Sequence, residues 1–302
     1  MSALLFDPQP LPFAPCELGE SPFWHPEEAR LYWCDIPGRT LHRADPVGLT
    51  HDSWRFDSEP ACCMPVLGGG LVLAMRDGLW RFDPLRGERT RLAPPPYDPA
   101  LQRFNDGKAD AQGRLWVGTL HEPKDRPAAA LYRWSQGEMD RMADGITTSN
   151  GLAWSPDGRT LYWSDTQAHC IYALDVDAQD GSLTRRRVFH QFPLKASDQD
   201  LDQYGGRPDG AAVDAEGCYW VAMFEGQCLL RLTPEGVIDR RVALPVRCPT
   251  MPCFGGPDLR TLYVTTARHK RPAAELARMP WSGCVLQMRV QVPGLPANFA
   301  VL

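Results

Sequence analysis

The sequence lacks the charge pattern of a protein that binds nucleic acid or a membrane surface. Its 302 residues contain 32 Lys and Arg against 37 Asp and Glu, so the formal net charge is -5. The longest uninterrupted run of Lys and Arg is Arg185-Arg186-Arg187, which is too short to form an extended basic surface. We therefore expect neither nucleic acid nor a membrane as a partner, and no obligate protein partner is evident.

Long apolar runs are absent as well. No segment approaches the roughly 18 consecutive apolar residues of a membrane-spanning helix. The first ten residues, MSALLFDPQP, have neither the basic start nor the apolar stretch of a secretion signal. These absences predict a cytoplasmic protein.

Familiar catalytic and cofactor motifs are also missing. No glycine pattern matches a Walker loop or a dinucleotide-binding fingerprint. Ser21, Ser155 and Ser164 lie outside any nucleophile-elbow sequence, which argues against a Ser-His-Asp hydrolase. Any chemistry must therefore come from another arrangement of side chains.

The ten cysteines do not indicate a disulfide framework or a zinc ribbon. They are scattered through the chain, and the adjacent pair Cys62-Cys63 has poor geometry for an ordinary disulfide. Cys248 and Cys253 have no second cysteine pair or histidine cluster at ribbon spacing. We expect reduced, mostly buried thiols.

The sequence does contain one unit that recurs six times: a short apolar segment, a turn, and a strand rich in Leu, Tyr and Trp. These second strands begin at Leu31, Leu71, Leu115, Leu161, Tyr219 and Leu262. Subtraction gives spacings of 40, 44, 46, 58 and 43 residues. A third alternating strand follows each one, and a more polar fourth strand follows in most units. This period is typical of propeller blades, so we predict an all-β, six-bladed β-propeller with four-stranded antiparallel blades.

The two ends of the chain suggest how the ring closes. The sixth unit lacks a fourth strand before the chain ends, whereas residues 10–17 precede the inner strand of the first unit. We predict that this N-terminal segment closes the ring, in a single domain spanning residues 1–302.

Four of the units place an oxygen-bearing side chain at one equivalent position. Glu20 and Asn150 precede their second strands by eleven residues, and Asn105 and Asp209 precede theirs by ten. Because the innermost strands of a propeller line its channel, these residues should converge at one mouth. Two carboxylates and amide oxygens suit one divalent ion, with Ca²⁺, Mg²⁺, Mn²⁺ and Zn²⁺ all candidates. Asn-Gly and Asp-Gly also occur as simple turn dipeptides, but the shared register favours ligands.

Other side chains are expected near the same mouth. Arg103 lies two residues before Asn105, so strand alternation points it to the same side, where it would bind a polyhydroxylated or anionic substrate or form a surface salt bridge. His121 follows the returning strand and would be a proton carrier, a substrate contact or a solvated loop residue. Near Cys62 and Met251 the remaining two units are apolar.

Five segments together form a specific combination of motifs. They are LGESPFW around Glu20, RFNDGKADAQGRLWVGT from Arg103, SNGLAWSPDGRTLYWSD from Ser149, PDGAAVDAEG from Pro208 and FGGPDLRTLYVTTAR from Phe254. Over nearly the whole chain the sequence resembles the regucalcin (senescence marker protein) and gluconolactonase family. The resemblance implies a six-bladed propeller with a central divalent metal. It also implies that Glu20, Asn150 and Asp209 are ligands, that Arg103 and Asn105 bind substrate with Asn105 near the metal, and that Asp209 is the general base.

One departure from the family pattern affects the substrate. Where relatives carry two adjacent Glu, this chain reads His121-Glu122-Pro123, and only Glu122 is carried over as a substrate contact. The resulting hypothesis is metal-dependent hydrolysis of a sugar-acid lactone, of pentono- or gluconolactone type. The alternatives are phosphotriester or aryl-ester hydrolysis at the same site, and a non-enzymatic calcium-binding regulatory protein.

Overall fold

Alternating apolar and polar residues build short strands that pair with their neighbours in sequence. The computed structural model describes residues 5–302 and groups the strands of that range into six four-stranded antiparallel sheets, here called blades 1 to 6. The predicted six-bladed β-propeller is therefore confirmed. The outer strands are the more exposed ones, as expected where one sheet edge faces water.

The first three blades occupy the N-terminal half of the chain, after a short leading strand. That strand is β1 (Gln9–Pro10). Blade 1 consists of β2 (Gly19–His25), β3 (Arg30–Asp35), β4 (Thr40–Asp45) and β5 (Thr50–Arg55). Blade 2 consists of β6 (Pro60–Pro65), β7 (Leu71–Met75), β8 (Gly78–Asp83) and β9 (Glu88–Ala93). Blade 3 consists of β10 (Gln102–Ala109), β11 (Leu115–His121), β12 (Ala129–Ser135) and β13 (Glu138–Ile146).

The remaining blades follow in the same order. Blade 4 consists of β14 (Ser149–Trp154), β15 (Thr160–Asp165), β16 (Cys170–Val176) and β17 (Leu183–Gln191). Blade 5 consists of β18 (Arg207–Val213), β19 (Tyr219–Phe224), β20 (Cys228–Leu232) and β21 (Ile238–Ala243). Blade 6 contains β22 (Cys248–Gly255), β23 (Thr261–Ala267) and β24 (Leu286–Arg289).

Blade 6 takes its outermost strand from the start of the chain. Strand β1 pairs antiparallel with β24, with Pro10 opposite Leu286. Beyond the strand, the amide of Leu11 donates to the carbonyl of Val285 over 2.8 Å. The predicted closure of the ring by the N-terminal segment is confirmed.

Helical structure is minor in the described part of the chain. It comprises the six-residue helix α1 (Ala273–Arg278) and a 3₁₀ turn at Leu201–Gln203. Between residues 5 and 302, no helix has both the length and the apolar character needed to cross a bilayer. All ten cysteines lie in this range as free thiols, and nine are buried.

The core lies between neighbouring blades rather than at one centre. Four tryptophans of second strands are almost fully buried: Trp33, Trp116, Trp163 and Trp220. One apolar cluster, for example, combines Trp116 and Leu131 of blade 3 with Leu152 and Trp163 of blade 4. Each blade therefore buries its faces against the next, and an unclosed ring would expose two of them.

Every innermost strand contains a register shift near its start. The shifts lie between residues 20 and 23, 60 and 62, 104 and 107, 150 and 153, 208 and 211, and 249 and 251. Such β-bulges bend a strand and redirect its side chains. The equivalent position occupied by Glu20, Asn105, Asn150 and Asp209 falls at this bulge. In the other two blades the bulge carries Cys62 or Met251 instead.

The role of the closing segment is testable through Leu11, which is 2% exposed and packs in a cluster with Trp33 and Val285. We expect Leu11→Ala to lower the free energy of unfolding by about 2–4 kcal/mol, since it removes buried methyl groups and leaves a cavity. Denaturant unfolding measures the change. Leu85→Ala, at a side chain 88% exposed, is the matched control and should change stability little. Equal effects of the two substitutions would contradict a packed closing segment.

Candidate metal centre and substrate site

The four side chains at the bulge position are buried at one end of the channel. Asn105 Nδ2 donates to Asn150 Oδ1 over 2.9 Å, and Asn150 Nδ2 donates to Asp209 Oδ1 over 2.6 Å. Blades 3, 4 and 5 are thus joined by a chain of hydrogen bonds through residues far apart in sequence. Glu20 of blade 1 is equally buried, and the charge of Asp209 acts on its carboxyl group. The structure therefore brings the four residues together, while their role as metal ligands stays a prediction.

The amide of Asn150 is fixed from two sides. Its Nδ2 also donates to Thr166 Oγ1 over 2.8 Å, and the Thr166 hydroxyl donates to the carbonyl of Pro208 over 2.8 Å. Because Thr166 and Asp209 both accept from the amide nitrogen of Asn150, its Oδ1 is turned toward Asn105. A fixed amide oxygen of this kind is suited to act as a ligand.

Arg103 is buried beside the ring rather than exposed in a surface salt bridge. Its guanidinium donates to Asn105 Oδ1 over 2.7 Å and to the carbonyl of Phe104 over 2.9 Å. Only Nε approaches a carboxylate, at 3.9 Å from Glu122 Oε1. Arg103 therefore retains donors that can serve a substrate.

Glu122 lies farther out and is held by another arginine. Arg76 donates to both carboxylate oxygens of Glu122, over 2.8 and 2.9 Å. Hydrogen bonding by Arg76 lowers the pKa of Glu122, so the group is a carboxylate at neutral pH. Glu122 thus stands at the mouth as an ionised acceptor.

His121 is buried, so the interpretation as a solvated loop residue is wrong. The ring is 2% exposed, and its Nε2 lies 2.7 Å from Asp125 Oδ1. Among the described residues no group pairs with the buried Nδ1. The carboxylate of Asp125 orients the imidazole, and Nδ1 is buried away from solvent.

Asp106 is a buried carboxyl group that the sequence reasoning missed. Its Oδ2 accepts from the amide of Leu152 over 2.8 Å, whereas its buried Oδ1 has no partner among the described residues. Asp106 directly follows Asn105, so strict alternation would point it away from the ring. The bulge removes that alternation, and the tripeptide Asn-Asp-Gly was the available signal.

The three acidic groups at this end of the channel oppose one another's ionisation. Burial, and then the charges of Asp209 and Asp106, raise the pKa of Glu20 well above its usual value. Burial also raises the pKa of Asp209 to about 8, with Arg207 opposing and Asp106 adding to the shift. Buried carboxylates without enough countercharge are costly.

The same residues fit a hard divalent cation. An ion among Glu20, Asn150 and Asp209 would meet only oxygen donors, which is the set that Ca²⁺, Mg²⁺ and Mn²⁺ prefer and that Zn²⁺ tolerates. Its charge would favour the ionised carboxylates and so reverse the pKa shifts that burial causes. The chemistry of the donor set therefore supports one metal ion at this position.

Cationic side chains stand near the ring, and their charges act on Asp209. Partial burial, followed by the positive charges of Arg207 and Arg103, lowers the pKa of Lys124. Arg207 lies 3.3 Å from a carboxylate oxygen of Glu225, but within residues 5–302 no carboxylate lies within 4 Å of the Lys124 ammonium group. The mouth is therefore rich in hydrogen-bond donors and partly positive.

A cavity lies toward the other end of the inner strands. Its volume is about 390 Å³, and its lining includes Phe23, Lys108, Trp154 and Phe254 together with residues 295–298 of the C-terminal segment. None of the four ring residues lines it. We therefore assign the candidate site to the polar mouth, where the ionisable groups converge, rather than to this mostly apolar cavity.

Comparison with known proteins places these features in a family. The profile described as "SMP-30/Gluconolactonase/LRE-like region" matches residues 18–268. A 6-deoxy-6-sulfogluconolactonase of Pseudomonas putida is 43% identical over 281 residues, covering 93% of this chain and 94% of the relative. A pentonolactonase of Haloferax volcanii is 34% identical over 253 residues, covering 83% of this chain and 82% of the relative. The crystal structure of a calcium-binding protein, regucalcin, from Agrobacterium tumefaciens superposes with a TM-score of 0.88 at 26% identity, covering 100% of this chain and 98% of that one.

The raised pKa of Asp209 predicts a pH-dependent stability of the metal-free protein. The folded group keeps its proton up to about pH 8, whereas the unfolded group loses it near its usual pKa of about 4. Rising pH between these values therefore favours unfolding. In chelator, we expect the unfolding free energy of the wild type, relative to Asp209→Asn, to fall from about pH 5 to about pH 8.

Denaturant titrations at these two pH values measure the effect, and saturating Ca²⁺ or Mn²⁺ should abolish it. Glu88→Gln, at an exposed carboxylate on β9, is the control and should show no comparable trend. A difference between wild type and Asp209→Asn that does not change with pH would contradict the assignment.

Proposed function

Because the chain belongs to the SMP-30/gluconolactonase/LRE-like family, we propose that it hydrolyses a sugar-acid lactone to the open aldonate, with one divalent metal ion as cofactor. The observation that carries the proposal is the ring itself. Buried oxygen donors from blades 1, 4 and 5 meet beside a buried Arg103 whose remaining donors are free. This arrangement combines a cation site with groups that orient a polyhydroxylated ligand.

The residues of the ring divide into holding and proton-transfer roles. Glu20, Asn150 and Asp209 would hold the ion, with Asn105 beside it. When bound, the ion supplies Lewis acidity to a lactone carbonyl or a water molecule. Asp209 Oδ1 is engaged by Asn150, so Oδ2 is the atom that takes a proton from the attacking water and returns it to the ring oxygen as the ester bond breaks.

The groups at the mouth would orient the sugar. Arg103 and Asn105 are fixed to each other and present donors toward the carbonyl end. Glu122, held ionised by Arg76, would accept hydrogen bonds from substrate hydroxyls. His121 would support the mouth through its contact with Asp125. A mouth of this polarity suits sugar hydroxyls better than the apolar groups of aryl esters or phosphotriesters.

We further propose that the favoured lactone carries an anionic substituent at its far end. The Pseudomonas putida relative, at 43% identity, is named for a lactone with a sulfonate group. In this chain the ammonium groups of Lys124 and Lys270 have no carboxylate within 4 Å among residues 5–302. Exposed positive charges beside the site would select a negative substituent over a hydroxyl group.

A calcium-binding protein without turnover is the second candidate. The regucalcin structure that this chain matches is described as that of a calcium-binding protein. The ring of oxygen donors suits Ca²⁺ in either case. The two functions differ in whether lactone opening accompanies binding.

Metal removal and reloading test the proposed activity. We expect the stripped protein to be inactive on a panel of five- and six-carbon aldonolactones, and activity to return with Ca²⁺, Mn²⁺ or Zn²⁺. Asp209→Asn should lower kcat/KM by at least about 100-fold, because it removes both a ligand and a proton acceptor. Initial rates with a pH indicator measure this, and Glu88→Gln should match the wild type. Tight Ca²⁺ binding with no turnover across the panel would instead support the calcium-binding protein.

The anionic substituent is tested separately with Lys124→Met. We expect this substitution to raise KM about tenfold for gluconolactones bearing a 6-sulfonate or a 6-phosphate, since it removes one nearby positive charge worth about 1.4 kcal/mol. KM for unsubstituted gluconolactone should stay the same. Arg86→Met, at an exposed cation on the outer hairpin of blade 2, is the control. Equal changes of KM for charged and neutral lactones would contradict this specificity.

A further inference from the structure

A second group of metal-binding side chains lies in blade 1, separate from the central ring. The thiol of Cys16, the carboxylate of Asp35 and a ring nitrogen of His42 lie within 4.8 Å of one another. Cys16 belongs to the segment between β1 and β2, Asp35 ends β3, and His42 lies in β4. None of the three is needed for the hydrolysis proposed above. We call them the Cys-Asp-His cluster.

We propose that the Cys-Asp-His cluster binds one divalent transition-metal ion, with Zn²⁺ as the natural candidate. Thiolate and imidazole ligands favour zinc over Ca²⁺ and Mg²⁺, and a carboxylate completes a common three-ligand set. Three protein ligands leave the fourth tetrahedral position to water. This ligand chemistry differs from that of Glu20, Asn150 and Asp209 in the central ring, which would hold an ion through oxygen atoms.

Blade 4 shows which part of the cluster the fold itself requires. Asp165 of blade 4 is equivalent to Asp35 of blade 1, 130 residues earlier. The two carboxylates make the same kind of hydrogen bonds. Asp35 accepts from the amides of residues 17 and 18, and Asp165 accepts from those of residues 147 and 148. The carboxylate is therefore explained by capping of the preceding segment.

The other two members of the cluster have no metal-binding counterpart in blade 4. The same shift of 130 residues places Ile146 at the position of Cys16 and Tyr172 at that of His42. Ile146 belongs to the apolar cluster of blades 3 and 4 that contains Trp163, and Tyr172 packs against that cluster. Packing at these positions is thus satisfied without a thiol or an imidazole. Blade 1 adds two metal-binding groups beside a carboxylate that is already in place.

Neighbouring contacts hold the two added ligands in orientation. Trp33 Nε1 donates to Cys16 Sγ over 3.3 Å, and the His42 ring stacks on Trp33 with centroids 5.0 Å apart. The equivalent Trp163 donates instead to Ser149 Oγ. His42 Nδ1 lies 3.0 Å from His51 Nε2, a contact of the kind that fixes the tautomer of a ligating imidazole.

Protonation of the free ligands is compatible with binding. Burial, together with His51, lowers the pKa of His42 to about 4, so its ring is neutral at physiological pH. Burial and the charge of Asp35 raise the pKa of Cys16 to about 12, so the metal must displace the thiol proton. One proton is therefore released for each ion bound.

The position of the cluster gives the ion a structural role. His42 is half-buried and His51 is exposed, so the cluster can be reached from the outer surface of the blade. Cys16 follows the segment that completes blade 6, while Asp35 and His42 belong to blade 1. A bound ion would tie the closing segment to blade 1 and stabilise the ring by binding only the folded state.

Cobalt titration of the stripped full-length protein tests the proposal independently of the central site. Co²⁺ in an all-oxygen ring gives no sulfur-to-cobalt charge-transfer band, whereas Co²⁺ bound by Cys16 does. We expect one equivalent of cobalt to produce this band, and zinc to displace it. Cys16→Ser should abolish the band, and His42→Tyr, which introduces the residue of blade 4, should weaken cobalt binding at least about tenfold.

Cys284→Ser, at a half-buried thiol close to Cys16, is the matched control and should keep the band. Circular dichroism without metal checks that each variant is folded, and the two ligand variants are independent, so failure of one leaves the other informative. A wild type without the band, or a band that survives both Cys16→Ser and His42→Tyr, would overturn the proposal. So would its loss in Cys284→Ser.

Discussion

The crowding of buried carboxyl groups at one end of the channel is the constraint on which the functional part of the structure depends. Glu20, Asp106 and Asp209 come from three different blades. Burial, together with repulsion between the acids, raises the pKa of Glu20 and of Asp209. Such a group of acids is unfavourable in a folded protein unless a cation or protons compensate it. Nearby Arg103 is directed toward Asn105 and Glu122 rather than into ion pairs with these acids. The acids of this site are therefore compensated either by protons or by a nearby cation.

The backbone brings these carboxyl groups together through a β-bulge that recurs in every blade. A regular strand would send successive side chains to opposite faces, so two adjacent residues of an inner strand would not both face the channel. The bulge at the start of each inner strand lets adjacent residues such as Asn105 and Asp106 both reach the centre. The bulge is present in all six blades, including those with Cys62 and Met251. The fold thus provides six equivalent positions, and the sequence decides which of them are charged.

The difference between positions set by the fold and side chains set by the sequence explains how much of the site could be predicted. The ring residues were found by counting back from the second strand, because a hairpin of nearly constant length fixes that distance. Asp106 was missed because alternation fails at the bulge, which only the tripeptide Asn-Asp-Gly signals in the sequence. The ion pair that holds Glu122 could not be predicted either, since its partner Arg76 lies in another blade, 46 residues away. The burial of His121 beside Asp125 was also missed, since a rule about rim residues does not describe it. The position of a residue along its own strand was predictable, whereas the partner that a side chain takes from another blade, as Glu122 takes Arg76, was not.

Comparison between blades also separates what the scaffold needs from what function adds. Asp35 and Asp165 cap equivalent turns with equivalent hydrogen bonds, so the carboxylate alone carries no functional information. The informative positions are those where one blade departs from another that has the same backbone. Glu20 against Met251 is such a departure at the channel, and Cys16 against Ile146 is one at the outer face. In both places a polar or metal-binding group replaces an apolar one that the same fold accommodates. In a repeated architecture, equivalent positions of different blades can therefore be compared with one another. A thiol or carboxylate that the backbone does not require is then recognised without any alignment to other proteins.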